Sequence, residues 1–260
     1  MCRTGQVVVM CAAVALLGGR GQAQSLVGSL AVNGGAAETY ISQAEPERRY
    51  QYGVRGGRSY CVEAIAGRSE LRGLALRLDI TNSAGTAIGS TIFTASEPDP
   101  SFGARFCYIA TAFELNVVKV TTPDFPVPTT PYYFRLRVVE TTHFCRNGFV
   151  DPTHDAFLEF KNTNSVSPAV PLTLTITLRD AGGVVVGNPF TYTASASEMG
   201  SISVKNTFGL SAGPGGYGSL EISHDRAPGI LVANVTSWSP FAGVNTWMEK
   251  RCELRQQPVW

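Results

Sequence analysis

The stretch "PLTLTITLRD", Pro171 to Asp180, alternates apolar and hydroxyl side chains almost without a break. Side chains of a β-strand point to opposite faces in turn, so the pattern predicts a strand with Leu172, Leu174, Ile176 and Leu178 facing a core. Similar stretches recur between turn residues, whereas no stretch after residue 24 keeps the 3.6-residue apolar period of an amphipathic helix. The sequence therefore predicts an all-β fold.

Short strands at regular spacing favour antiparallel sandwiches. In the first half we expect a turn at Gly56–Gly57, a hairpin turn at Asn82–Gly85, and a strand "PYYFRLRVVE" with its apolar residues on one face. The segment "ETTHFCRNGFVDPTHD", residues 140–155, interrupts the pattern and is interpreted as a connection. The prediction is two antiparallel β-sandwich domains in tandem, residues 24–142 and 143–260, the second immunoglobulin-like or jelly-roll-like.

The first 23 residues have the pattern of a secretory signal peptide. Arg3 precedes the apolar run "VVVMCAAVALL", and small residues at Gly21 and Ala23 suit cleavage after Ala23. The formal net charge of +1 falls to about −1 when Arg3 and Arg20 are removed. We therefore expect a secreted protein without a membrane span and without the basic surface that attracts nucleic acid.

Four cysteines remain in the mature chain, an even number that predicts two disulfides in an exported protein. Three connectivities are possible for four cysteines. Cys61 and Cys107 both lie within predicted strands of the first half, while Cys145 and Cys252 bracket the second half. This spacing favours the pairs Cys61–Cys107 and Cys145–Cys252.

Residues 50–140 resemble the bacterial pre-peptidase C-terminal (PPC-like) β-sandwich. The resemblance rests on "YQYGVRGGRSYCVEAIAG" and the closing strand "YYFRLRVVE". The second half, with "LTITLRDAGGVVVG" and "ISHDRAPGILVAN", resembles an uncharacterised β-sandwich module of bacterial secreted and surface proteins, from which Arg226 departs at a usually small turn position. Neither family has an established catalytic centre, so the resemblance implies a structural or binding role.

The adjacent residues His224 and Asp225 are a candidate binding pair in "SHDRAPG". The segment lies between two alternating stretches, so we interpret it as the turn of a hairpin, with Asp225 bonding the backbone and Gly229 supplying a positive φ. His154–Asp155 has a similar context. An aromatic platform for sugar rings is a further possibility, although these rings also suit core packing; its members would be Tyr217, Trp238 and Trp247.

Two motif matches lack the surroundings that their chemistry requires. "GLSAG" has the spacing of a nucleophile elbow around Ser211, but a loop and a strand follow it, and Glu221 and His224 would project to opposite strand faces. "GPGGYG" has no βαβ unit around it. Glu97, Asp99 and Asp124 could bind a structural calcium ion but lack a recognisable ligand spacing, so we expect no cofactor.

These features predict a secreted or cell-surface, non-catalytic binding or structural protein that recognises an extracellular protein or glycan. One alternative is a secreted hydrolase, or an accessory domain of one, using Ser211 or a carboxylate pair. Another is a subunit of an extracellular filament. The residue pattern alone names no ligand.

Overall fold

The computed structural model describes residues 28–66, 75–94, 104–123, 129–149, 155–164, 171–210, 216–241 and 244–254. The predicted signal peptide, residues 1–23, lies outside these ranges. Nearly all regular structure is β-strand, which confirms the predicted all-β class. Within the described ranges, the one helix, α1, spans Val204–Thr207.

Nine strands form the first sandwich: β1 Gly28–Ser29, β2 Ala37–Ile41, β3 Glu47–Val54, β4 Ser59–Ala66, β5 Ala75–Thr81, β6 Ala87–Thr94, β7 Ala104–Ile109, β8 Glu114–Thr121 and β9 Tyr132–Glu140. Sheet I has the strand order β1-β3-β8-β5-β6, and sheet II has the order β2-β9-β4-β7. Their pairings are antiparallel except for the short β1–β3 contact.

The second sandwich contains β10 His143–Phe149, β11 Asp155–Asn162, β12 Leu172–Asp180, β13 Phe190–Ala194, β14 Met199–Ser203, β15 Gly216–His224, β16 Leu231–Phe241, β17 Val244–Arg251 and β18 Glu253–Leu254. Sheet III has the order β13-β12-β15-β10-β18, and sheet IV has the order β14-β11-β16-β17. All of these pairings are antiparallel.

Each pair of sheets encloses its own hydrophobic core. The first core joins residues of sheet I, such as Leu78 and Val118, to residues of sheet II, such as Leu136. The second core joins Leu174 of sheet III to Val235 of sheet IV. The apolar face predicted for β9 is buried, and so is the leucine face of β12, because alternation places every second side chain between the sheets.

Two predicted turns have the expected geometry. The Asn82–Gly85 turn joins β5 and β6 as a hairpin, with Gly85 at φ +80°. The Gly56–Gly57 turn joins β3 of sheet I to β4 of sheet II, with Gly57 at φ +79°. Positive φ is accessible to glycine at little steric cost, so both residues suit their positions.

The interpretation of residues 140–155 as a connection was wrong. Residues His143–Phe149 form β10, a strand of sheet III between β15 and β18. In "HFCRNGF" the two phenylalanines fall on opposite strand faces, and Phe144 shares its face with Arg146. Neither face is uniformly apolar, so the sequence does not show the alternation typical of a strand. The strand forms because β15 supplies a ladder of seven residue pairs from Ile222 to Gly216.

Both predicted disulfides are present. Cys61 and Cys107 are directly paired across β4 and β7, with Cα atoms 4.1 Å apart. Cys145 of β10 bonds Cys252, which lies between β17 and β18, with a Cα separation of 4.3 Å. The first bond therefore links neighbouring strands of sheet II, and the second ties β10 to the last described segment.

Candidate functional site

The turn between β3 and β4 lies against the outer face of sheet III, the face that points away from the second core. The Ser223 hydroxyl donates a hydrogen bond to the carbonyl oxygen of Gly57 at 2.6 Å. The backbone N–H of Ser59 donates to Thr142 Oγ1 at 2.9 Å. Direct hydrogen bonds therefore join the two sandwiches at this turn.

A buried arginine strengthens the same contact. Arg58 extends Nη1 to Glu140 Oε1 at 3.1 Å and Nη2 to Glu221 Oε1 at 3.4 Å. Arg179 forms an ion pair with the other oxygen of Glu221 at 2.8 Å. Glu140 belongs to the first sandwich and Glu221 to the second, so one guanidinium connects carboxylates from both.

An open cleft of about 1060 Å³ lies beside this contact. Five arginines line it: Arg55, Arg58, Arg146, Arg179 and Arg251. Two glutamates, Glu221 and Glu253, and two phenylalanines, Phe113 and Phe144, complete the chemically distinctive lining. We call this space the cleft.

The arginines fall into two groups. Arg58 and Arg179 are engaged by buried carboxylates, as described above. Arg55, Arg146 and Arg251 are exposed, and no ion pair between described residues involves them. These three arginines line the cleft, and guanidinium groups are strong hydrogen-bond donors to anions.

Alternation and register place the charged residues on one face. Arg146 of β10 is paired with Ser219 of β15, and Ser219 is paired with Arg179 of β12. The adjacent Cys145 and Leu220 point to the second core. Side chains at paired positions lie on the same side of a sheet, so Arg146 and Arg179 flank Ser219 on the outer face.

Two aromatic rings border the arginines. Phe113, in the β7–β8 loop, is 83% exposed, an unusual state for a large apolar ring. The Phe144 ring lies beneath Arg58, with the guanidinium carbon 5.2 Å from the ring centroid, which is within cation–π range. The cleft thus combines positive charge with ring surfaces.

Close backbone packing holds the Phe113 loop in place. Gly57 N–H donates to the Ala110 carbonyl at 2.7 Å, and Ala110 N–H donates to the Arg58 carbonyl at 2.8 Å. A Cβ added to Gly56 would lie only 3.0 Å from the Thr111 carbonyl oxygen. Gly56 therefore permits the turn that carries Arg55 and Arg58 to approach this loop.

A smaller cavity of about 340 Å³ adjoins the cleft and shares Arg55, Arg58 and Phe113 with it. Tyr60 and Glu140 contribute to its lining. The Tyr60 hydroxyl accepts a hydrogen bond from the Arg55 N–H at 2.9 Å, and burial raises the pKa of this phenol. The phenol is therefore neutral at physiological pH.

The hairpin interpretation of "SHDRAPG" was wrong. β15 pairs with β12 and β10 in sheet III, whereas β16 pairs with β11 and β17 in sheet IV. The segment therefore crosses between sheets. Gly229 has φ +87°, as expected for the turn. The backbone N–H of Arg226 donates a hydrogen bond to His224 Nδ1 at 3.3 Å, so the acceptor in this turn is His224 and not the predicted Asp225.

His224, a candidate binding residue, is buried and does not present its side chain to solvent. It is fully inaccessible and faces His143, with ring centroids 5.7 Å apart. Burial lowers the pKa of His224 to about 3, with a further contribution from His143, whose own pKa burial lowers to about 4. Both rings are neutral near pH 7, on the opposite face of sheet III from Glu221.

The other candidate residues are not brought together with the histidine. Asp225 is exposed, with its carboxylate 3.6 Å from Arg226 Nε. Tyr217 is paired in backbone register with Gly148, and Trp238 with Trp247 across β16 and β17. Ser211, Glu97, Asp99, Asp124 and His154 lie outside the described residues.

The described ranges contain no group of three or more His, Cys, Asp or Glu side chains arranged to hold a metal ion. No helix within them has the length and apolar character of a membrane span.

No known family model matches the chain, and no curated protein does. Solved structures with some likeness include a Bacteroides fragilis protein assigned as a β-galactosidase, 12% identical, with a TM-score of 0.17. Others are a glycosyl hydrolase family 2 member from Bacteroides cellulosilyticus, 11% identical with a TM-score of 0.20, and a Parabacteroides distasonis protein assigned as secreted, 9% identical with a TM-score of 0.22.

The coverage of these structures differs. The alignments include 83% of this chain but only 32% and 26% of the two glycosidase-assigned chains, so this chain spans about a third or less of their length. The third alignment includes 76% of this chain and 81% of the other. All three TM-scores are far below 0.5.

Sequence reasoning missed the arginine cleft. Its unpaired members, Arg55, Arg146 and Arg251, come from the β3–β4 turn, β10 and β17, far apart in the chain. No local motif contains two of them. Only the pairing of β10 with β15 and the seating of the β3–β4 turn on sheet III bring these residues to one cleft.

Proposed function

We propose that this chain is an exported, non-catalytic binding protein that recognises an extracellular protein or glycan through the cleft between its sandwiches. The observation that carries the proposal is the group of three exposed arginines, which have no ion pair with another described residue, beside the exposed ring of Phe113. Guanidinium groups are strong, geometrically selective donors to anionic groups, and exposed rings are typical of recognition surfaces.

Export is part of the proposal. Two disulfides are typical of proteins that mature in oxidising compartments, and the first 23 residues have the pattern of a signal peptide. The resemblance of residues 50–140 to the PPC-like sandwich agrees with a secreted accessory or binding role.

The chemistry of the cleft supports binding more than catalysis. General acid–base catalysis needs a titratable group placed near the reacting atoms. Glu140 and Glu221 are buried in ion pairs with Arg58 and Arg179, and both described buried histidines, His143 and His224, are on the inner face of sheet III. The rival is a hydrolase based on Ser211 or on a carboxylate pair that includes Glu253.

Capture from the native cell envelope, together with a glycan array, tests the proposal. The mature chain is compared with the double variant Arg146→Gln/Arg251→Gln, after thermal unfolding has shown that both are equally folded. We expect the parent chain to retain specific partners that the variant loses. Capture of nothing, or equal capture by both proteins, would contradict a binding role for the cleft, and turnover of an array glycan would contradict the non-catalytic assignment.

A further inference from the structure

We infer that the cleft binds an acidic oligosaccharide, a chain of sugar rings that carry carboxylate or sulfate groups. The inference rests on the proposed function and specifies the chemistry of its ligand. Its premise is the combination of unpaired guanidinium groups with ring surfaces in one cleft.

The charge of the cleft favours an anion. In the buried half of the site, the negative charges of Glu140 and Glu221 are balanced by the positive charges of Arg58 and Arg179. The exposed half contains Arg55, Arg146 and Arg251 against Glu253 alone among the acidic lining residues. Because the mature chain is close to neutral overall, this local excess of positive charge is a property of the cleft and not of the whole surface.

The cleft is wide enough for more than one sugar ring, with Arg179 paired to Glu221 on one side and Arg146, which has no ion pair among the described residues, on the other. Arg146 and Arg179 lie on β10 and β12, on either side of Ser219 of β15. Neighbouring strands are about 4.8 Å apart, so the Cα atoms of these arginines are separated by roughly 10 Å. That distance is longer than one sugar ring, and Arg55 and Arg251 extend the positive surface further.

The edge of sheet III beside the cleft is only partly covered. Peptides that bind β-proteins commonly add a strand to a free sheet edge. β12 and β15 are interior strands, whereas β10 pairs with β18 only at His143 and Phe144, so its edge from Cys145 to Phe149 has no partner strand among the described residues. A peptide added there would depend on backbone hydrogen bonds, whereas the cleft presents side-chain charge and rings, so an acidic peptide probe is compared with the acidic sugars below.

The rings provide surface for the apolar faces of sugars. Phe113 is 83% exposed and lines both the cleft and the adjoining cavity. An exposed ring beside guanidinium groups can stack on a sugar ring while the arginines contact its acidic substituent. Neutral sugars would gain the stacking contact but leave the arginines without partners.

Isothermal titration calorimetry of the full mature chain tests the inference with three probes. They are a short oligogalacturonate, a sulfated galacto-oligosaccharide and the uncharged galacto-oligosaccharide. We expect one or both acidic probes to bind and the uncharged probe to bind at least tenfold more weakly. Arg146→Gln and Arg251→Gln should each weaken binding about tenfold, because each removes a charge-assisted contact. The matched control is Arg135→Gln, which removes an exposed arginine outside the cleft lining and should leave affinity unchanged.

Two further measurements distinguish hydrogen bonding by the guanidinium groups from nonspecific electrostatic attraction of the probe to the positive cleft. Arg146→Lys keeps the charge but loses the planar fork, so its affinity should lie between that of the parent and that of Arg146→Gln. Raising the ionic strength from about 0.01 M to about 0.1 M shortens the screening length from about 30 Å to about 10 Å and should weaken binding by several-fold. Thermal unfolding shows whether each variant is folded.

The outcomes divide the two proposals. Cleft-dependent binding of an uncharged glycan or of an envelope protein, with no binding of either acidic probe, would overturn this inference while supporting the proposed function. Preferential binding of poly-glutamate or single-stranded DNA over both acidic sugars would also overturn it. Binding of an acidic sugar that survives both arginine substitutions would place the ligand elsewhere and overturn the inference as well. Failure of the sugars and of every envelope partner would overturn both proposals.

Discussion

The two faces of sheet III have opposite chemistry, although the same strands supply both. The inner face presents Leu220, Ile222 and the neutral His224 to the second core. The outer face presents Glu221 and Arg146 to the first sandwich and to the cleft. The alternation of β10 and β15 therefore separates neutral packing from charge within one layer of backbone.

The outer face itself changes along the sheet. Where the β3–β4 turn covers it, Glu221 is buried and paired by Arg58 and Arg179. Where the turn leaves it uncovered, Arg146 is exposed without an ion pair among the described residues. Coverage by the first sandwich thus decides which charges support structure and which are free for a ligand.

The largest expected effect comes from Arg58→Ala. The substitution removes the buried ion pairs of Arg58 with Glu140 and Glu221, and removing one member of a buried ion pair typically costs about 3–5 kcal/mol. Chemical denaturation measures the free energy of unfolding. Arg135→Ala, which disrupts only the exposed pair with Glu38, should cost less than about 1 kcal/mol. Equal losses in the two variants would show that the Arg58 contact does not join the sandwiches.

Adjacent residues of β15 provide the next test. Leu220 is fully buried, so Leu220→Ala should lower the free energy of unfolding by about 2–5 kcal/mol through lost apolar contact and a residual cavity. Ser219 points to the cleft, so Ser219→Ala should change it by less than about 0.5 kcal/mol. The same denaturation experiment compares them, and a reversed order would contradict the assigned register.

The buried histidines make stability depend on pH. Both folded pKa values lie below the ordinary value of 6.5, so the unfolded chain takes up protons first and stability falls as pH decreases from about 6.5 towards 4. At its steepest the loss is about 1.4 kcal/mol per pH unit for each histidine. Denaturation between pH 7 and pH 5 should show this slope, and the variant His143→Gln/His224→Gln should reduce it. An unchanged slope would assign the dependence to other groups.

The smallest expected change in stability concerns Phe113. Because its ring is exposed, Phe113→Ala should alter the free energy of unfolding by less than about 0.5 kcal/mol. Affinity for an acidic oligosaccharide should nevertheless fall several-fold, since aromatic contacts contribute about 0.5–1.5 kcal/mol. Leu115→Ala is the control, because Leu115 is half exposed and does not line the cleft. Equal affinity in all three proteins would exclude stacking on Phe113.

Local pattern was sufficient for much of the fold. Alternation predicted the buried faces of β9 and β12, and glycine positions predicted the turns at Gly56–Gly57 and Asn82–Gly85. The spacing of four cysteines in their predicted strands favoured the correct pairing. The buried faces and the turns depend on residues that are close in the chain. The disulfide pairing is a long-range feature, but four cysteines allow only three connectivities.

Strand partners were harder to predict than strands. β15 and β16 are both recognisable, but their ladders are made with distant strands, so "HDRAPG" crosses between sheets and His224 becomes buried. β10 lacks clear alternation because its outer face contacts the cleft and its inner face holds His143 and Cys145. The cleft is lined by Arg55, Arg146 and Arg251, which are far apart in the sequence. No local sequence pattern predicts that they line one space.

Side-chain NMR of arginine during titration with an acidic oligosaccharide tests the cleft most directly. The Nε–Hε signals of Arg55, Arg146 and Arg251 should shift together on addition of the oligosaccharide, because these unpaired guanidinium groups line one space. Signals of Arg77 and Arg135, which are exposed and outside the cleft lining, should remain in place. Shifts confined to the outlying arginines, or no shift at any cleft arginine at saturating ligand, would contradict the assignment of this cleft as the ligand site.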